Sequence, residues 1–169
     1  MTKSLIIDPS QVRAAGHIQF PDIPVNQYKF DLDTELDRYG KDGMVNMLHD
    51  MIVVRTFESM LDSIKKTGEW RGIAYNHRGP AHLGIGQESA YVGQASVLSP
   101  NDQVFGSHRS HGEILAKCYS AMRQIENGEL ENIMKTFLDG ETLSFAEKID
   151  YKDTKDLTEN FILFGALEE

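Results

Sequence analysis

Two short segments carry the residues that could do chemistry. The first is His82-Leu83-Gly84-Ile85-Gly86-Gln87-Glu88-Ser89; the second, one helix length later, is Phe105-Gly106-Ser107-His108-Arg109-Ser110-His111-Gly112. Each places glycine and polar side chains where a loop turns into a helix. Glycine lets a backbone approach a ligand closely, and a helix start offers unpaired N–H groups with a partial positive charge. Together these features suit a phosphorylated ligand. Arg109 adds a fixed, forked cation matched to phosphate oxygens, and Ser107 is placed to cap the second helix.

The imidazoles admit more than one reading. His108 and His111 stand three apart, on one face of a helix if the helix has begun. Zinc would need a third ligand and usually a fourth, for which His77 and His82 are the candidates. The same rings serve as proton donors or as neutral hydrogen-bonding groups near neutral pH. His82, in a glycine-rich loop ahead of a helix, is a candidate general acid–base group; the plainer reading is a histidine that satisfies loop carbonyls. Glu88 falls in a first helical turn, where the helix dipole favours a carboxylate whatever the chemistry.

Several elements must position these segments. Residues 43–67 carry apolar side chains at helical spacing, namely Met44, Leu48, Met51, Ile52, Phe57, Met60, Leu61 and Ile64. Asp42 is a candidate N-cap and Gly68 suits a left-handed stop. Residues 69–86, rich in glycine, read as a long loop. Helices are expected over Gln87–Leu98, Arg109–Met122, Leu130–Leu138 and Asp156–Leu167, and a short buried strand over Gln103–Gly106. Glu141–Lys155 reads as a charged connector. Before residue 40, Pro9, Pro21 and Pro24 break helices, and Ile18–Val25 reads as an extended arm.

Bulk properties narrow the classes. The chain has 169 residues, room for one domain with a core. A formal net charge of −9 argues against nucleic acid as the main partner. No apolar run nears the roughly 18–20 residues that span a bilayer, and the first residues are too weakly apolar for a signal peptide. Cys118 is the only cysteine, which excludes an internal disulfide or a cysteine zinc cage. These points lead to the expectation of a cytoplasmic protein without a membrane partner.

Taken in order, the motifs are Arg55 with Phe57-Glu58, a glycine loop, His82-Leu83-x-Ile85-Gly86-Gln87-Glu88-Ser89-Ala90-x-Val92-Gly93, and Leu98-x-Pro100-x-Asp102-x-Val104-Phe105-Gly106-x-x-Arg109-x-His111-Gly112. This order resembles the alpha subunit of thiamine diphosphate-dependent 2-oxo acid dehydrogenases, the decarboxylating first component of pyruvate, branched-chain 2-oxo acid and acetoin dehydrogenase complexes. The resemblance runs from about Met44 to Met122. The lead-in Asn76-His77-Arg78-Gly79-Pro80-Ala81 looks like the form in which alpha and beta parts are fused.

The resemblance implies an α/β thiamine diphosphate-binding fold. This chain would supply mainly its N-terminal helical part, with at most one or two short strands: an extended arm over 1–40, then an incomplete binding domain over 41–169. It implies that Arg109 binds the cofactor diphosphate and that His108, standing where the family has tyrosine, also contacts the cofactor. His82 and His111 are the implied catalytic residues. Thiamine diphosphate and magnesium are the implied cofactors. Leu138-Asp139-Gly140 with Asn160 is no acceptable magnesium motif, so the metal ligands are expected outside this chain. The implied partners are the beta part, a lipoyl-bearing acyltransferase and a 2-oxo acid. The chain looks like the front portion of a larger protein, inactive alone. The alternatives are a helical anion-binding or regulatory module without catalysis and, further off, a histidine metalloenzyme.

Overall fold

The computed structural model describes residues 8–16, 25, 28–76 and 79–168. The extended segment Ile18–Val25, except Val25, and the pair His77-Arg78 therefore lie outside the described residues. The chain divides into two compact units, residues 1–32 and 33–169. In the first, α1 (Pro9–Val12) is a single turn. The Asp8 carboxylate accepts from the Ser10 amide at 2.9 Å and its hydroxyl at 2.7 Å, which satisfies a donor that the helix start leaves open.

The long helix α2 (Leu32–Thr67), all but its first residue in the second unit, starts well before the expected Gly43, so residues 32–39 are helical rather than part of an extended arm. It bends at Gly40, whose φ of 68° and ψ of 164° lie outside the helical region and suit only glycine. Asp42 thus falls in the first turn after the kink. Gly68, at φ 76°, stops the helix as expected. The apolar stripe is rotated from its expected position. The buried face is Asp50, Val54, Phe57, Glu58, Leu61 and Ile64, while Leu48 and Ile52 are exposed. Two carboxylates on this face account for the difference, because a count of apolar residues alone cannot place them inside.

The expected loop after Gly68 begins with a hairpin, β1 (Glu69–Trp70) against β2 (Ile73–Ala74). Its two turn residues, Arg71 and Gly72, both have positive φ, at 48° and 80°. That matches the mirror-image turn whose twist suits a two-residue hairpin. The helices that follow are α3 (Glu88–Ala95), α4 (His111–Gln124), α5 (Asn127–Thr136), α6 (Glu141–Ala146) and α7 (Thr154–Glu168). Two expectations fail. Gln103–Gly106 is irregular, with Phe105 91% exposed, because no described strand offers it a pairing edge. The charged connector contains α6, whose Thr142 and Ala146 are fully buried against α7.

The core links α2, α4 and α7. Val54, Phe57 and Leu61 pack on Leu115 and Ala166. A second cluster joins Met134, Ala146 and Leu157 beneath Phe161 and Phe164. Lys155 on α7 gives its ammonium to the carbonyls of Met122 and, at 2.7 Å, Ile125. It thereby satisfies the acceptors left open at the end of α4.

Two ion pairs fix α2 to its neighbours. Arg123 of α4 grips Asp50 with both terminal nitrogens, at 2.6 and 2.5 Å. Arg55 grips Glu88 at the start of α3, Nε to Oε1 at 2.5 Å and Nη2 to Oε2 at 2.8 Å. The Arg55 hydrogen bond, reinforced by the Gly86 amide, holds the Glu88 carboxyl down at about 2.

Two outcomes follow from these clasps. Asp50→Ala should cost about 2–3 kcal/mol in urea unfolding, with an Arg123→Ala double-mutant cycle showing strong coupling. Additive losses would mean that the clasp holds nothing. Because Glu88 titrates lower when folded, its contribution is complete above its ordinary value of about 4.5 and vanishes as pH falls through about 2. Acid unfolding of Glu88→Gln should accordingly show a flatter loss of stability across that window than the parent chain.

Candidate functional site

The two chemistry-bearing segments meet. They precede α3 and α4, which pack side by side. The rings of His82 and His108 lie edge to face with centroids 4.7 Å apart, and both residues are exposed. Arg109 is exposed beside them, and among the described residues no carboxylate pairs with its guanidinium. His111 sits deeper, its side chain 19% exposed, with Nδ1 3.6 Å from Glu58 Oε1.

The helix start differs from expectation. α4 begins at His111, after Ser110, and not at Arg109. Ser107 does not cap it; its hydroxyl accepts from the Arg109 amide at 3.2 Å in a tight turn. Only His111 of the two spaced histidines is therefore on the helix, and the shared-face argument for metal binding does not apply. Among the described residues, no three of His, Cys, Asp and Glu converge as a metal set. Ser110, the residue ahead of α4, makes no capping bond with its side chain.

The glycines serve a different purpose from the one expected. Tyr91 of α3 lies between the two segments. A Cβ on Gly84 would stand 2.2 Å from the Tyr91 hydroxyl, and a Cβ on Gly112 2.2 Å from its ring. Gly106 makes room for Ser110 and Glu113 in the same way. Gly84, Gly106 and Gly112 are thus small because protein side chains fill the space. Gly86, at φ 99° with open space at its Cβ position, is glycine for its backbone. Burial, followed by the carboxylates of Glu113 and Glu58, pushes the Tyr91 hydroxyl up, against the lowering influence of Arg109.

Beneath the loops, Glu58 is fully buried and its Oε2 accepts from the Gly84 amide at 2.8 Å. Sequence reasoning gave no role to Tyr91, Glu58, Glu113 or the Arg55–Glu88 pairing. Tyr91 carries no signal by spacing. Glu58 does, since it falls among the residues that turn out to be the buried face of α2. A surface of this kind combines a forked cation and two exposed imidazoles, all able to donate to an anion.

Gly112→Ala should destabilise the chain by about 1–3 kcal/mol through overpacking on Tyr91, read by thermal or urea unfolding. In a Tyr91→Ala background the same change should cost little; an equal cost in both would separate Gly112 from the tyrosine.

Comparison with known proteins finds distant relatives by sequence. The chain is 30% identical over 95 residues to the mitochondrial pyruvate dehydrogenase E1 component subunit alpha of Kluyveromyces lactis, covering 56% of this chain and 21% of the relative. It is 34% identical over 83 residues to the pyruvate dehydrogenase E1 component subunit alpha of Rhizobium meliloti, covering 49% of this chain and 22% of the relative. To the Saccharomyces cerevisiae mitochondrial subunit it is 26% identical over 95 residues. No family model matches the chain, and no solved structure matches it. The chain spans about a fifth of the length of these curated relatives, and over about half of its own length it is distantly similar to pyruvate dehydrogenase E1 alpha subunits.

Proposed function

We propose that the chain is the N-terminal part of the alpha subunit of a thiamine diphosphate-dependent 2-oxo acid dehydrogenase. The complete enzyme decarboxylates a 2-oxo acid and passes the acyl group to a lipoyl carrier on an acyltransferase. The similarity to E1 alpha subunits supports the class. The observation that carries the site assignment is the exposed Arg109 guanidinium, without a carboxylate partner among the described residues, beside the edge-to-face His82 and His108.

The donor set fits the diphosphate end of the cofactor, since the Arg109 guanidinium and the His82 and His108 rings can each give a hydrogen bond to an anionic oxygen. When bound, thiamine diphosphate supplies the carbon nucleophile and the electron sink for decarboxylation. Arg109 holds the diphosphate oxygens and His108 donates beside it. His82 holds or delivers a proton at the substrate oxygen. His111 acts from the deeper level, beneath the loop that carries His82. The magnesium ligands, the beta part and the remaining pocket walls come from outside this chain, which by itself turns over no substrate. A cytoplasmic location belongs to the same proposal; no described helix is long and apolar enough to cross a membrane.

The test follows thermal stability with thiamine diphosphate and magnesium, with and without a co-expressed E1 beta subunit. Stabilisation that requires the beta subunit is the expected result. Stabilisation by inorganic phosphate alone would favour the non-catalytic anion-binding module. Arg109→Ala in the reconstituted enzyme should weaken cofactor affinity by about tenfold to a hundredfold, the value of one charged hydrogen bond. Unchanged affinity would remove Arg109 from the diphosphate site.

A further inference from the structure

We infer that Glu58 is a positioning residue of this site: its Oε1 takes the Nδ1 hydrogen of His111 while its Oε2 holds the loop at Gly84. As a positioning role it rests on the function proposed for His111; the place of the hydrogen does not.

Glu58 lies at 0% exposure in the middle of the buried face of α2, between Phe57 and Leu61. A carboxylate taken out of water needs hydrogen bonds to both oxygens. One oxygen has its donor, the Gly84 amide at 2.8 Å. The other, Oε1, is buried without a hydrogen-bond partner among the described residues, and so is the His111 Nδ1 that stands 3.6 Å from it. As a carboxylate, Glu58 can only accept at Oε1, and in that form the pair is satisfied with hydrogen on Nδ1. Hydrogen on Nε2 alone would set two lone pairs against each other in a site closed to water. The 3.6 Å separation is beyond bonding range, and hydrogen bonds at such sites are often long before a ligand binds and tighten afterwards.

The arrangement has two effects. Neutral His111 keeps Nε2 free of hydrogen, which makes that nitrogen the basic one. In addition, one side chain ties the loop of the first segment to the helix start of the second, so the place of His82 and the proton on His111 depend on the same carboxylate.

The experiment is a long-range 1H–15N spectrum of the histidine rings in the full labelled chain, with His111 identified by its loss in His111→Gln. The expected result is hydrogen on Nδ1, with or without a second on Nε2. In Glu58→Gln the amide carbonyl takes over the Gly84 N–H and its NH2 faces His111, so Nδ1 should lose its hydrogen and Nε2 gain it. A purely structural role for Glu58 would leave the ring unchanged. A bare Nδ1 in the parent chain overturns the inference, as does Glu58→Gln with hydrogen still on Nδ1. Should Glu58→Gln fail to fold, the parent spectrum alone decides. The measurement needs no cofactor, so its failure leaves the diphosphate role of Arg109 standing, and the reverse also holds.

Discussion

A charge buried beside α2 has to be met, and meeting it fixes everything around it. Asp50, Arg55 and Glu58 lie along one stretch of this helix, and each reaches a different part of the chain: α4 through Arg123, the start of α3 through Glu88, and the loop at Gly84. Apolar contacts between α2, α4 and α7 supply the nonspecific attraction. The ionic contacts set register, because a bidentate pair tolerates little sliding or rotation. A helix that touches its neighbours through both kinds of contact can hold two loops in one arrangement.

Tyr91 completes that arrangement from the other side. Its ring needs the space that glycine leaves at 84 and 112, one in each segment, so a single residue of α3 sets how closely the two loops come together. The exposed His82–His108 pair and Arg109 then sit on loops supported from below by Glu58 and from within by Tyr91. Arg109, His82 and His108 face solvent as donors, while Glu58 and Glu88 are turned inward. An acidic chain with a formal net charge of −9 thereby presents a locally donor-rich face.

Much of this was readable in the sequence, and the failures have physical causes. The helices of residues 43–67 and 109–122 are legible because each has a buried stripe, and the first also has a usable stop in Gly68. The motif segments are legible because glycine and polar residues cluster at helix starts. Gly84 and Gly112 misled because a glycine that admits a ligand and one that admits a tyrosine look the same without coordinates. Ser107 misled because its hydroxyl serves a turn three residues ahead of the true helix start. Leu48 and Ile52 misled because charge pairing, not hydropathy, decides which face of α2 turns inward. The hairpin at Arg71-Gly72 was hidden because strands of two residues carry almost no periodicity. How His82, His108, His111 and Arg109 act belongs to the proposal, since the fold brings the first two into contact without fixing their chemistry.

The grip of Lys155 on the last carbonyls of α4 carries a consequence for how the molecule comes apart. Without it the last carbonyls of α4 would be left open and that end would fray. The ammonium therefore makes the final helix and the helix bearing His111 one cooperative unit. A protease cut near residue 150 would be felt as faster amide exchange at the end of α4 near Met122 and Ile125, and not only at the cut itself.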